Sequence, residues 1–203
     1  MSGKPTAPAA ERNRESILGV MRYELSDLSS ILEIGSGTGQ HAVYFARQLA
    51  HLTWQTSDVA ENHAVIRAWL RDADLPNTAG PLHLDVLNAT PATGFDGVFS
   101  ANTAHIMSFA AVEKMFALVS RMLPQDGVFM LYGPFRQNGE FNANSNAEFH
   151  RSLRHRNPEM GIRHLEELDA LARAGQMRRR RLYAMPANNH IAVWIKDDVE
   201  DRQ

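Results

Sequence analysis

Ile31-Leu32-Glu33-Ile34-Gly35-Ser36-Gly37-Thr38-Gly39-Gln40 is the stretch whose reading decides the fold. A short run of strand formers meets three glycines, and Ala42, Phe45, Ala46 and Leu49 then recur at helical spacing, so the stretch reads as strand, turn, helix. Glycine lets the backbone turn sharply and approach a ligand with no Cβ in the way. The helix that follows offers free amides and the positive end of its dipole.

The same alternation extends outward. Upstream, Arg14, Ile17, Leu18, Met21 and Leu25 predict an amphipathic helix behind a Pro- and Ala-rich, flexible lead over residues 1–8. Downstream, strands at 53–57, 81–86, 95–101 and 128–132 alternate with helices at 65–70 and 112–122. Strands alternating with helices imply parallel βαβ units, and the continuous apolar run at 128–132 fits a strand buried on both faces. Gly133-Pro134-Phe135 breaks the pattern, and the Gly, Asn and Ser residues of 138–146 predict a loop. Leu165, Leu168, Leu171 and Ala172 predict a helix ending at Gly175, followed by two strands, 177–185 and 190–196, around Pro186-Ala187-Asn188-Asn189. The expectation is an α/β chain with one domain over residues 9–197. Its core is a doubly wound, mostly parallel seven-stranded sheet with a C-terminal antiparallel hairpin. Residues 134–160 read as a lid-like insertion with Phe135, Phe141, Phe149 and Leu153 as its apolar surface.

Composition sets outer bounds. The chain has 203 residues, 44% hydrophobic and 22% charged, the mix of one ordinary globular domain. A formal net charge of -2 argues against a bulk electrostatic grip on nucleic acid. Cysteine is absent, which excludes disulfides and thiolate metal sites and fits a reducing compartment. With no signal-type apolar segment and no membrane-length run, the expected location is cytoplasmic. Arg178-Arg179-Arg180-Arg181 alternates faces in a strand and reads as a solvated edge guarded by charge. His150, His155 and His164 lack the spacing of paired ligands, so no metal is expected.

The glycine turn admits two cofactor classes. A dinucleotide fingerprint fails from Gly35, where position 40 is Gln, and passes from Gly37 with Gly39 and Ala42. Glu33 discriminates: a carboxylate inside a buried strand needs a positive group or donors, which the ammonium of S-adenosylmethionine supplies and a pyrophosphate does not. Asp58, at the end of the second strand, is placed to accept from ribose hydroxyls in either case. Asp85, after the third strand, is placed to meet an adenine amine; both acids are also read as loop or capping residues.

Glu33-x-Gly35-x-Gly37-x-Gly39, Asp58, Asp85, Asn102 and Leu123-Pro124-x-x-Gly127 together resemble the class I S-adenosylmethionine-dependent methyltransferase fold, which is Rossmann-like. Five further motifs are similar to domain-of-unknown-function family 938, the type of methyltransferase-like protein 26, from about residue 9 to residue 196. They are Ala9-Ala10-Glu11-Arg12-Asn13, Gly37-Thr38-Gly39-Gln40-His41-Ala42, Ala101-Asn102-x-x-His105-Ile106, Tyr132-Gly133-Pro134-Phe135 and Met185-Pro186-Ala187-Asn188-Asn189. Gly35 departs from that family's expected small non-glycine residue.

The resemblance implies an S-adenosylmethionine cofactor held by Glu33, Gly35, Gly37, Gly39, Asp58, Asp85 and Asn102. Methyl transfer needs alignment and exclusion of water, with removal of one proton where the acceptor carries it. The expected catalytic residues are His105 as general base, read equally as a structural histidine, with Tyr132 and Asn102 beside it. Arg136, Asn188 and Asn189 are expected to hold a small-molecule acceptor. Alternative readings are a non-catalytic S-adenosylmethionine-binding module and a nicotinamide-dependent oxidoreductase.

Overall fold

The computed structural model describes residues 4–197. Five parallel strands, β1 (Ser30–Ile34), β2 (Thr53–Asp58), β3 (Thr78–His83), β4 (Gly97–Ala101) and β5 (Val128–Gly133), join an antiparallel pair, β9 (Met177–Met185) and β10 (Asn189–Lys196). They form one seven-stranded sheet in the order β3-β2-β1-β4-β5-β10-β9. β10 lies antiparallel between β5 and β9, which leaves β9 at the edge. The chain runs outward through β1, β2 and β3 and then crosses to β4 on the other side of β1. That reversal opens a crevice beyond the carboxyl ends of β1 and β4, where ligands of such sheets bind.

Side chains alternate across the strands and build two cores. Phe129 and Leu131 of β5 join α4 (Phe109–Met122) and α6 (Leu165–Ala174) on one face. Met130 and Tyr132 join α1 (Pro8–Glu24), α2 (Gln40–Gln48) and α3 (His63–Ala73) on the other. Phe116, Phe129 and Trp194 meet at 5.2–5.5 Å between ring centroids in the first core. Phe45, Trp54 and Phe99 meet at 5.5–6.0 Å in the second. Glu33 and Tyr132, both on the second face, therefore point toward α1 and α2.

The remaining elements are β6 (Phe135–Gln137), β7 (Glu140–Phe141), α5 (Asn144–Arg156) and β8 (Arg163–His164), of which the strands form a small separate sheet. Here the structure corrects the expected loop at 138–146. Asn138 and Gly139, with φ of 51° and 80°, make the tight turn of a β6–β7 hairpin, and a helix begins at Asn144. Among α5 residues only Asn146 and Leu153 are buried, so its apolar stripe is too narrow to be read from periodicity.

The third strand also shifts, from the expected 81–86 to Thr78–His83. Pro81 sits inside it rather than at its first position, tolerated because β3 is an edge strand whose outer side has no ladder to donate to. Residues 4–7, expected as part of a flexible lead, are tied down; residues 1–3 lie outside the described residues. Lys4 pairs with Asp72 at 2.6 Å and lies over the Trp69 ring, whose Nε1–H donates to the Pro5 carbonyl. The arginine run does occupy the edge strand, yet it is engaged. Arg178 and Arg179 pair with Asp197 and Asp169, and Arg180 and Arg181 both reach the buried Glu24.

Phe116→Ala removes a fully buried ring from the α4–α6 face. It is expected to cost ~3–5 kcal/mol in urea denaturation and to lower Tm by about 10 °C; a loss under about 1 kcal/mol would contradict the packing described.

Candidate functional site

Gly35, Gly37 and Gly39 all carry positive φ, at 75°, 58° and 85°. At Gly35 a Cβ would lie 2.6 Å from Thr103 Cγ2, so only glycine lets the turn after β1 rest on the loop after β4. At Gly37 nothing lies within 4 Å of a built Cβ, and the turn faces open space there.

The turn is held from β2. The Gly35 and Ser36 amides both donate to the Ser57 carbonyl at 3.0 Å, and the Gly37 amide donates to Asp58 Oδ2 at 2.7 Å. Asp58 Oδ1 accepts from the Val59 amide at 2.8 Å and from Asn62 Nδ2 at 2.9 Å. Asp58 thus fixes the glycine turn with one oxygen and its own loop with the other.

Beneath the turn, Glu33 is buried and accepts from Trp54 Nε1–H at 3.2 Å. Burial pushes its carboxyl up to about 7, with the nearby Asp58 charge adding to the rise and hydrogen bonds from Trp54 and Ser36 opposing it. That displacement is worth roughly 3 kcal/mol against the ionised form. No ion pair reaches Glu33 among the described residues, so a cation brought to this turn would restore its charge.

Asp85 lies two residues past β3. Its carboxylate accepts from the Leu87 amide at 3.1 Å and from Asn88 Nδ2 at 2.9 Å, capping its own loop. With His83, Leu84 and Asn88 it borders a cavity of about 230 Å³.

A larger cavity, about 420 Å³, opens where three distant segments meet: Arg12 and Asn13 of α1, Asn102 and Tyr132 after β4 and on β5, and Ala187 and Asn189 of the β9–β10 turn. Strand alternation turns the Tyr132 phenol toward α1, where it lines the cavity with Asn13 and Asn189; burial pushes its pKa up. Asn13 Oδ1 is 2.8 Å from Nε2 of His41, a residue of α2, and Gln40 Nε2 donates to Glu11 at 3.3 Å. The first turn of α1 is thereby docked on the helix that follows the glycines. Two walls of the cavity are strained: Asn102 has φ of 60° and Ala187 has φ of 56°, a conformation L residues adopt at a cost of order 1–3 kcal/mol.

The other sequence-predicted residues lie elsewhere. His105 is buried in the loop after β4, edge-on to Phe149 with ring centroids 5.3 Å apart. Burial, aided by Arg163 and Arg156, lowers its pKa to about 4, so the ring is uncharged at neutral pH. Arg136 donates to the Gly139 carbonyl at 2.5 Å and stacks over Phe141, and its buried Nε finds no partner among the described residues. Asn188 acts through its carbonyl, which accepts from Asn142 and Asn146 at 3.1 and 2.9 Å and clasps the hairpin turn to α5. Neither Arg136 nor Asn188 lines the cavity, whereas Arg12, Asn13 and Ala187, to which sequence reading gave no role, do. The signal was present in the Ala9–Asn13 motif, with nothing to say where it docks.

Of the four aromatic and aliphatic residues read as a lid surface, Phe135 and Leu153 are core residues. Phe141 stacks under Arg136, and Phe149 remains exposed beside His105. Among the described residues no group of three or more His, Asp or Glu is gathered as a metal site, and no helix is long and apolar enough to cross a membrane.

Residues 4–196 match the family described as "Protein of unknown function (DUF938)". The chain belongs to that family. Its fold is that of class I S-adenosylmethionine-dependent methyltransferases, as three solved structures illustrate. The mitomycin 7-O-methyltransferase MmcR superposes with a TM-score of 0.81 at 16% identity, over 93% of this chain and 54% of that one. Human N-acetylserotonin methyltransferase in complex with SAM gives 0.81 at 12%, over 94% and 53%. The O-methyltransferase NcsB1 from neocarzinostatin biosynthesis, in complex with S-adenosylmethionine and 2-hydroxy-5-methyl naphthoic acid, gives 0.74 at 16%, over 92% and 54%. The chain spans a little over half the length of these proteins, and at such identities the likeness is one of fold.

Glu33 yields a pH test. A carboxyl raised from 4.5 to about 7 by folding contributes stability below pH 4.5 and loses it as pH rises to about 7. His41 and His105, lowered to about 4, act in the opposite sense between about 4 and 6.5 and are common to both proteins compared. The stability of Glu33→Gln relative to wild type, read from urea midpoints, should therefore climb between pH 4.5 and 7 and level off above; a constant difference would place an ionised Glu33 in the fold.

Proposed function

We propose that the crevice binds S-adenosylmethionine and that the protein transfers its methyl group to a small-molecule acceptor. The observation that carries the reading is the pairing of an open glycine turn with two carboxylates, Glu33 beneath it and Asp58 holding it, while residues 35–42 contain no Lys or Arg. This donor set fits a ligand with a cationic amino-acid end and a ribose, and it repels the pyrophosphate of a dinucleotide. S-adenosylmethionine bound here supplies an electrophilic methyl group.

In this reading Glu33 balances the ligand's ammonium and Asp58 Oδ2 accepts from a ribose hydroxyl beside its bond to Gly37. Asp85 and its loop border the adenine. Asn102 and Tyr132 orient the acceptor in the larger cavity with Asn189, and α5 with its exposed Phe149 serves as the cover over His105. His105 does not line that cavity; its Nδ1 lies behind Gly133, 3.6 Å from where a Cβ there would sit, and the uncharged ring accepts the proton of an acceptor that reaches past Tyr132 toward the loop after β4. Solved structures of the same fold include enzymes bound to S-adenosylmethionine and to a small aromatic acid, which supports a small acceptor.

Titration calorimetry with S-adenosylhomocysteine tests the cofactor. Wild type should bind it and not NAD, and Asp58→Ala should weaken binding by about 10-fold or more, because charge-assisted hydrogen bonds are lost. Binding of NAD alone would overturn the reading.

In turnover with a hydroxylated aromatic acceptor, His105→Ala should lower the rate ~100-fold or more with S-adenosylhomocysteine affinity unchanged. The wild-type rate should fall only below about pH 5, since the ring titrates near 4; an unaltered rate in the variant would return His105 to a structural role.

A further inference from the structure

The geometry points to a carboxylate site in the larger cavity, built around Arg12, and we infer that the methyl acceptor is a small carboxylic acid; this rests on the reading of the adjacent crevice as the methyl-donor site. The cavity wall holds one cation and no acid: Arg12, Asn13, Asn102, Tyr132 and Asn189 supply a guanidinium, three amides and a phenol. A surface of donors with a single positive charge selects a ligand rich in acceptor oxygens and singly negative.

Arg12 is free to serve it. Among the described residues it makes no ion pair and no hydrogen bond, while its neighbour Glu11 is turned toward α2 and taken by Gln40. Its charge is felt at the Tyr132 phenol, which places the guanidinium beside the same volume. The other groups are fixed before any ligand arrives. His41 holds the Asn13 amide, and Asn189 Nδ2 is braced on the Pro186 and Ala187 carbonyls at 3.3 Å. Side chains held in this way lose little freedom on binding.

Charge also runs in one direction across the site. Glu33 and Asp58 stand on the glycine side and Arg12 on the far side, so a cationic donor and an anionic acceptor are each drawn to their own half. At about 420 Å³ the cavity has room for a molecule of one or two rings.

A carboxylate at Arg12 has two sources, an acceptor or the amino-acid end of the methyl donor itself, and the experiment separates them. Benzoate, 4-hydroxybenzoate and 3-phenylpropionate are titrated by NMR, each against its neutral primary amide, into wild type and Arg12→Gln, with and without saturating S-adenosylhomocysteine. The expected result is a preference of about 10-fold or more for the acids as a class in the loaded protein, lost in Arg12→Gln and partly kept in Arg12→Lys. S-adenosylhomocysteine affinity should stay within about twofold in both variants, below the cost of a lost charge-assisted bond. A 10-fold loss of that affinity in Arg12→Gln would assign Arg12 to the donor and overturn the inference, as would equal binding, or none, of acids and amides. Failure of wild type to bind S-adenosylhomocysteine would sink the methyl-transfer reading by itself. An acid preference that still vanished in Arg12→Gln would leave the carboxylate site standing.

Discussion

The hydrogen bonds that Asp58 makes at the end of β2 hold the crevice open. A glycine turn with three positive φ angles has little stability of its own, because glycine brings the most conformational freedom to lose. Asp58 removes that freedom by accepting the Gly37 amide with one carboxylate oxygen while the other accepts from Val59 and Asn62. The Ser57 carbonyl, accepting from Gly35 and Ser36, completes the clamp. Two strand ends and the start of α2 are thereby locked together at the point where strand order reverses. The Gly37 side of the turn has open space around it.

What the sequence made legible follows from range. The βαβ alternation, the glycine turn and the C-terminal hairpin rest on contacts between residues close in the chain, and their periodicities of 2 and 3.6 survive in the letters. Glu33 was legible for the same reason: an acid within an apolar strand is an anomaly visible without a structure. Arg12 and Asn13 were not, because their meaning comes from a packing event across the domain. His41 and Gln40 draw α1 onto α2, and strand alternation on β5 then turns Tyr132 to meet it. No local pattern records that encounter. The Asn-rich stretch before α5 misled in the other direction. Its asparagines looked like loop residues, and two of them serve instead as donors that grip the Asn188 carbonyl of the hairpin turn.

His105 shows how burial changes a chemical expectation. A histidine with its ordinary pKa is a balanced acid and base near pH 7, whereas one lowered to about 4 is a weak base that stays uncharged through the neutral range. Its cationic neighbours reinforce that state. Arg163, bonded to the Ala104 carbonyl at 2.9 Å, sits in the same loop region with its charge intact. Burial is the larger cause and the Arg163 and Arg156 guanidiniums add to it, so all three oppose protonation of His105.

Arg12 and the acids at the glycine turn belong to one pattern. Glu33 and Asp58 put the carboxyl groups on the β1–β2 side of the crevice, and the β5 side carries Arg12 beside Tyr132. In a medium of low dielectric such a gradient acts over several ångströms and is not screened as surface charges are. It orients any ligand pair of opposite charge before contact is made, with the cation over the turn and the anion against α1. Asn102, just after β4, and Ala187, in the β9–β10 turn, both line the cavity with positive φ. Asn102 and Ala187 share their positive φ with Asp74, Asp126, Asn138, Gln176 and Asn188, so it is the polar lining and the charge gradient, rather than strain, that specify the occupant.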